Sequence, residues 1–87
     1  MAIRFPFKPG IYTHNSTVAF HALVDGEFVR CEISEEALRD HFGTKTNRAD
    51  ELVACFEAGR ERIHEVARRR LTVDAGRKCL LVTADFN

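Results

Sequence analysis

The chain has 87 residues, of which 45% are hydrophobic and 30% charged, and this composition is typical of one small globular domain over residues 1–87. Its 13 basic and 13 acidic residues cancel, which argues against a strong non-specific binder of polyanions. No apolar run reaches the roughly 18 residues of a membrane span. The three cysteines are too far apart for a metal motif, so we expect free thiols in the cytoplasm and no metal or cofactor.

The first residues predict an arm at a sheet edge. Apolar side chains alternate from Ile3 to Phe7, but Pro6 cannot donate to a strand ladder, which restricts this segment to an edge. Pro9-Gly10 then predicts a turn. We expect another short strand to start at Ile11, before a polar loop leads into the main strands.

A β-hairpin is the clearest local prediction. Two β-prone runs, residues 17–24 and 27–33, flank Asp25-Gly26, a dipeptide typical of type I′ turns. This turn sets the register, with Leu23 opposite Phe28, and separates two faces. The face expected to contact helices carries Val18, Phe20, Ala22, Val24, Val29, Cys31 and Ile33. The other face carries Ala19, His21, Leu23, Phe28, Arg30 and Glu32.

Two helices are expected after the hairpin. Ser34 is the predicted N-cap of a short helix over residues 35–42, which a glycine ends. A long helix over residues 48–71, with Asn47 as its N-cap, has apolar residues at three- and four-residue steps. Gly59 lies on this apolar stripe, where glycine is unfavourable, so we expect a strand or the short helix to approach closely there.

A final strand is predicted over residues 79–86, and its apolar residues on both faces indicate an interior position in the sheet. Strands and helices are therefore largely segregated along the chain. The expected fold is a two-layer α+β domain with the order β-β-β-α-α-β. It would have a mainly antiparallel sheet of about four strands, with one short and one long helix on one face.

Leu23 and Phe28 form an apolar pair on the otherwise polar face of the hairpin. Three interpretations are open. In the first, the pair has no special role, because scattered apolar surface residues are normal in proteins. In the second, the N-terminal arm covers the pair. In the third, the pair is the centre of a dimer interface. The sequence does not choose among them.

A basic cluster lies in the last turn of the long helix and just beyond it, and it suggests phosphate or other anion binding. Arginines in the last helical turn also complement the helix dipole, which is the more ordinary role. No aromatic residue that would stack on a base lies between Ala58 and Val82. The basic surface of one copy would alternatively meet the acidic surface of another. The cluster comprises Arg68, Arg69, Arg70, Arg77 and Lys78.

The polar residues of the hairpin give a third candidate. The register places His21 beside Arg30, with Glu32 two residues further along the same face. These groups would bind an anion or transfer a proton, but charged pairs are routine on an open antiparallel face. No histidine is placed next to a cysteine by the sequence, so we expect no catalytic residue.

Several segments in order resemble the DUF1488 family of small bacterial proteins of unknown function. The matching segments are Phe5-Pro6, 18–34, 36–43, 56–70 and 80–86. The resemblance implies a compact α+β fold in a bacterial cytoplasm and carries over no catalytic residue. We therefore expect a soluble, non-enzymatic interaction or regulatory module that acts through protein contacts, as a homodimer or with another protein. The alternative is weak nucleic-acid or anion binding at the basic helix end.

Overall fold

The computed structural model describes residues 2–6, 8–46, 48–73 and 79–86. Over these residues the fold is α+β, with a mixed sheet of five strands and with three helices. The strands are β1 (Ile3–Arg4), β2 (Ile11–Tyr12), β3 (Thr17–Val24), β4 (Glu27–Ser34) and β5 (Cys79–Leu81). The helices are α1 (Glu35–Phe42), α2 (Ala49–Ala58) and α3 (Arg60–Val73), and a 3₁₀ turn follows over Thr83–Phe86.

The hairpin of β3 and β4 forms the centre of the sheet. Its register is the predicted one, with Leu23 opposite Phe28, and Asp25 and Gly26 both have positive φ angles, as a type I′ turn requires. β1 and β2 each pair antiparallel with β3, and β5 pairs parallel with β4. The prediction of about four mainly antiparallel strands was therefore incomplete, because the sheet has five strands and is mixed.

The last strand is shorter than predicted and lies at the sheet edge, so the interior position predicted for residues 79–86 was wrong. Asp85 ends the strand: its Oδ2 accepts from the backbone N of Val82 at 2.8 Å, and its own N–H donates to the Val82 carbonyl. Arg70 holds the same carboxylate at 3.1 Å. These bonds turn the chain, and Phe86 is buried from the turn rather than from a strand.

The predicted long helix divides at Gly59, which has φ −102° and ψ 15° and separates α2 from α3. The expected close approach of the short helix is confirmed. A Cβ atom added to Gly59 would lie 2.3 Å from Cδ1 of Phe42, the last residue of α1. Glycine thus admits the Phe42 ring and allows the helix to bend there. Asn47, the predicted N-cap, lies outside the described residues.

The hydrophobic core lies between one sheet face and the helices. All the hairpin residues predicted for this face are buried, except Val29, which is partly buried. Helix residues such as Leu38, Leu52 and Phe56 are fully buried against them. α1 has its predicted caps, since Ser34 Oγ accepts from the N–H of Ala37 at 3.1 Å. Because side chains alternate along a strand, the other hairpin face points away from this core.

Candidate functional site

The sheet face that points away from the helices is the first candidate surface, and we call it the open sheet face. Strand register places residues from all five strands on it, because directly opposite residues share a face. Its members are Arg4, Ile11, Ala19, His21, Leu23, Phe28, Arg30, Glu32 and Leu80.

Exposed apolar side chains are prominent on the open sheet face. Phe28 and Ile11 are each 62% exposed, and Leu23 is partly buried beside Phe28. Lys8 from the arm lies over the Phe28 ring, with Nζ 5.5 Å from the ring centroid, and the His21 ring meets Phe28 edge-on at 6.2 Å. The structure thus brings the predicted pair together and leaves Phe28 largely uncovered by the described residues.

Phe5 and Tyr12 of the arm contact the core side instead. The Phe5 ring stacks on His64 of α3, with centroids 4.2 Å apart, and also approaches Phe20. Tyr12 packs against the core as well. Phe7 lies outside the described residues. One of the three open interpretations was that the arm covers the pair. In the structure, neither Phe5 nor Tyr12 covers Phe28.

The polar set on the open sheet face is held by structural bonds. Glu32 is only 6% exposed, and its Oε1 accepts from Thr17 Oγ1 at 2.5 Å. Its Oε2 lies 3.7 Å from Nε of Arg30. His21 is exposed in the neighbouring row, opposite Arg30. The carboxylate that would serve as a base in a proton-transfer site is therefore already engaged by a hydroxyl and a guanidinium.

The basic helix end is also engaged within the molecule. Arg68 donates from Nη1 to the carbonyl of Ile3 at 2.8 Å and lies 5.4 Å from the Phe5 ring. Arg70 pairs with Asp85, while Arg69 is exposed. Two of the predicted anion-binding arginines therefore attach the arm and the C-terminal turn to α3. The other two predicted residues, Arg77 and Lys78, lie outside the described residues.

A cavity of about 260 Å³ adjoins the open sheet face, and we call it the edge cavity. It lies where the arm leaves β3: β1 pairs with Leu23 and Val24, and β2 pairs with Val18 and Ala19. Pro6, Lys8 and Pro9 line the same cavity as Phe20 and His21, which lie between these two paired parts of β3. The edge cavity is lined by Pro6, Lys8, Pro9, Ile11, Ala19, Phe20, His21, Arg60 and His64.

The electrostatics of the edge cavity centre on His64. Burial lowers the pKa of His64 to about 4, and the nearby Arg60 and Arg68 guanidiniums contribute. Glu57 forms an ion pair with Arg60, which lowers the pKa of the Glu57 carboxyl, and it also accepts from the N–H of Gly10 at 3.0 Å. The imidazole is therefore neutral at pH 7 within a basic surrounding.

The chain is similar to one protein family in sequence and to one solved structure in fold. A family described as "Protein of unknown function (DUF1488)" matches residues 3–82. The chain belongs to the DUF1488 family. It is similar to the crystal structure, at 1.60 Å resolution, of a DUF1488 protein of unknown function from Shewanella loihica PV-4, with 22% identity and a TM-score of 0.80. That match covers 91% of this chain and 90% of the other, and at this identity it shows the fold alone. No curated protein matches the chain.

Metal-binding side chains and cysteines are the remaining candidates for chemistry in this DUF1488 chain. Among the described residues, no group of three or more His, Cys, Asp or Glu side chains is arranged to hold a metal. Cys31 and Cys79 face each other across β4 and β5 and are buried, and the neighbouring thiol and burial raise the pKa of Cys31. Cys55 donates to the Phe42 carbonyl at 3.0 Å. No helix in the described part of the chain has the length and apolarity to cross a membrane.

Three residues near the candidate surfaces were not singled out from the sequence: Lys8, Ile11 and His64. Ile11 and Lys8 reach the sheet through pairing of the arm with β3, which no local pattern reveals. His64 carried little signal in the sequence, because it lies between Ile63 and Glu65, next to the buried stripe of the helix rather than on it. Its partial burial comes from packing against the arm and β3, which the helix pattern does not reveal.

Proposed function

We propose that this DUF1488 protein is a non-enzymatic interaction module of the bacterial cytoplasm, and that its open sheet face binds a second copy of the chain. The observation that supports the proposal most is the exposure of Phe28 and Ile11, 62% each, on a sheet face without a helix layer. Apolar residues exposed together on a polar surface are typical of protein interfaces.

The spacing of these two side chains suits a two-fold contact. Phe28 lies opposite Leu23 and Ile11 lies opposite Ala19, so the two rows are four residues apart on β3, or roughly 13 Å. Consider a two-fold axis that lies in the plane of the face, midway between Phe28 and Ile11 and perpendicular to the line that joins them. This axis places Phe28 of each copy against Ile11 of the other, so the same contact forms two times. Such self-complementarity is the requirement of an isologous dimer.

The polar centre of the open sheet face is compatible with this contact. Arg30, between the two apolar rows, is paired with Glu32, so two copies would not bring uncompensated guanidiniums together. The face is small. β3 is roughly 26 Å long, and at most four strands lie side by side, roughly 5 Å apart, because β1 and β2 share one edge of β3. Stable dimers bury about 800 Å² per partner, so we expect a weak, concentration-dependent dimer.

The bonds of Glu32 support the non-enzymatic part of the proposal. A general base needs a carboxylate or imidazole that can reach a substrate proton. On the open sheet face, Glu32 is buried and bonded by Thr17 and Arg30. The free thiols of Cys31 and Cys79 are also buried, which is consistent with a reducing compartment and a structural role.

The test is the solution mass by light scattering, over about 1 µM to about 1 mM, the range of weak association. We expect the native chain to shift from monomer to dimer, and Phe28→Asp and Ile11→Asp to remain monomeric. Val73→Asp is the matched control, because Val73 is 88% exposed at the end of α3, away from the open sheet face, and this variant should dimerise normally.

Two outcomes would contradict the proposal. A native chain that stays monomeric throughout the range would exclude the second copy as the partner. A dimer that persists in Phe28→Asp, with unchanged circular dichroism, would place the interface elsewhere on the molecule. Loss of the dimer in Val73→Asp as well would indicate a general effect of added charge rather than a specific face.

A further inference from the structure

We propose that the edge cavity is a binding site for a small organic anion with an apolar body, a monocarboxylate, whose carboxylate binds beside His64. The inference does not rest on the dimer, since the cavity lies within one chain. It concerns a different set of groups: Pro6, Lys8, Pro9, Phe20, Arg60 and His64 contribute to the cavity and are not members of the open sheet face.

The walls of the edge cavity favour an apolar body. Two prolines, Ile11, Ala19 and Phe20 form most of its lining. At about 260 Å³ the space corresponds to roughly nine water volumes of about 30 Å³ each. A ligand of about nine non-hydrogen atoms, such as an aromatic or short branched carboxylate, matches that volume. Larger cofactors and nucleotides exceed it.

The polar groups of the edge cavity favour a negative charge. Among the described lining residues, the four with titratable or charged side chains are all bases: Lys8, His21, Arg60 and His64. Arg68 also acts on His64 from the next turn of α3. The acid that faces this group is Glu57 of α2, which pairs with Arg60. Cationic groups therefore outnumber the carboxylate around the cavity, and an anion is the complementary ligand.

His64 is poised to accept a proton when the anion arrives. Its ring packs between Phe5 and the rings of Phe20 and Phe56, and within the described residues no hydrogen bond involves its nitrogens. A carboxylate beside the imidazole would favour the imidazolium, because opposite charges stabilise each other in a partly buried site. The ligand would thus be held by a charge-assisted hydrogen bond from His64.

Proton uptake makes the affinity depend on pH in a defined direction. The free imidazole has a pKa of about 4, and the bound carboxylate raises it. Binding then tightens as the pH falls through the bound-state pKa. If that pKa returns to the ordinary value of about 6.5, the affinity at about pH 5.5 is about tenfold higher than at about pH 7.5. The charged and titratable groups near the His64 imidazole are Arg60, Arg68, Lys8, His21 and Glu57. Between these two pH values the Glu57 carboxyl stays ionised because its pKa is lowered.

The experiment uses benzoate and benzamide as probes, because they have the same shape and differ in charge. The full chain would be titrated with each at about pH 5.5 and about pH 7.5, where a carboxylate remains ionised, and followed by amide and imidazole NMR signals. We expect saturable benzoate shifts at residues lining the edge cavity and a rise in the titration midpoint of His64. Benzamide should bind at least about tenfold more weakly.

Two variants connect the pH dependence to His64. His64→Gln should weaken benzoate binding at about pH 5.5 and remove most of the tenfold difference between the two pH values. His14→Gln is the matched control, since His14 is exposed in the loop before β3 and should leave both affinities unchanged. Repeating the native titration in Phe28→Asp, a monomer by the proposed function, separates this inference from the dimer.

The inference is overturned by any of three results. Benzoate that causes no saturable shift at either pH would mean that the cavity binds no monocarboxylate of this size. Equal binding of benzamide and benzoate would indicate an apolar cavity without anion selectivity. Benzoate affinity with the same pH dependence in native protein and His64→Gln, with folding confirmed by the amide spectrum, would exclude the proton-uptake role of the imidazole.

Discussion

The two faces of the sheet follow different rules. On the covered face, residues such as Val18, Cys31 and Ile33 are fully buried and form one cluster with the helices. On the open sheet face, exposed Phe28 lies beside a basic side chain and a histidine, and the carboxylate of Glu32 is bonded rather than exposed. The covered face specifies the fold, and the open face is available for contacts with other molecules.

The border between the faces combines both properties. Along the edge of β3 that is away from β4, the arm packs Phe5 against the core side and extends Lys8 over Phe28 on the open side. Gly10 makes this passage possible, since a Cβ atom there would lie 2.6 Å from Val18 Cγ1. The edge cavity lies at this border, so a ligand there would contact apolar core residues and solvent-facing bases at once.

Substituting one phenylalanine on each face compares the two faces directly, and the buried one should give the largest change in the free energy of unfolding. Phe56 of α2 is fully buried, with its ring 5.2 Å from that of Phe20, whereas Phe28 is 62% exposed. Phe56→Ala should lower the free energy of unfolding by about 3–5 kcal/mol, because it removes buried area and leaves a cavity. Phe28→Ala should change it by less than about 0.5 kcal/mol.

Urea denaturation monitored by circular dichroism measures both values. The measurement should use protein dilute enough to keep the chain monomeric, so that any dimer does not stabilise the native state. A loss of more than about 2 kcal/mol in Phe28→Ala would show that the open sheet face is part of the folding core. The division into two kinds of face would then be wrong.

Gly59→Ala tests the covered side by a small addition and has the next effect in size. In an exposed helix, glycine to alanine stabilises by about 1 kcal/mol. Here the added Cβ would lie 2.3 Å from the Phe42 ring, so we expect destabilisation by about 1–3 kcal/mol instead. Thermal unfolding would show a lower Tm for the variant than for the native chain.

A double-mutant cycle with Phe42→Leu provides the control for Gly59→Ala. The smaller side chain should relieve the clash, so the alanine should be less destabilising in that background by about 1 kcal/mol or more. Additive effects of the two substitutions would mean that the bend between α2 and α3, rather than the Phe42 contact, requires glycine.

A feature of this fold could be predicted from the sequence when the residues that cause it are close together in the chain. Asp25-Gly26 sets the hairpin register over a few residues, so both faces of β3 and β4 were predicted correctly. The close approach at Gly59 was also predictable, because glycine in an apolar stripe needs a reason. The division of the helix was not, since the side chain packed against Gly59 is Phe42, which lies 17 positions earlier in the chain.

Non-local contacts account for the errors. The apolar pattern of residues 79–86 suits an interior strand, but Asp85 binds the N–H of Val82 and Arg70 of α3, and the strand ends at Leu81. The edge cavity has a similar origin, because it exists only when β1 and β2 pair with separate parts of β3. Hydrophobic periodicity carries no information on either feature.

His64 gives the smallest expected effect, and it tests the border between the faces. Its pKa of about 4 in the folded chain lies below the ordinary value of 6.5. The unfolded chain therefore binds the proton first as the pH falls, so His64 reduces stability on acidification through this window. Between about pH 6.5 and about pH 5 we expect a loss of about 1 kcal/mol, a value discounted for the partial exposure of the ring.

Comparison with His64→Gln isolates this contribution in urea denaturation across the same pH range. The variant should lose less stability than the native chain, so the free energy of unfolding of the native chain minus that of the variant should fall steadily as the pH falls towards about 5. Glu57, whose pKa is lowered by Arg60, titrates below this window and so affects both proteins little there. Parallel pH profiles would mean that His64 is solvated in the folded chain, and the border would then be an ordinary solvent-exposed edge rather than a partly buried site.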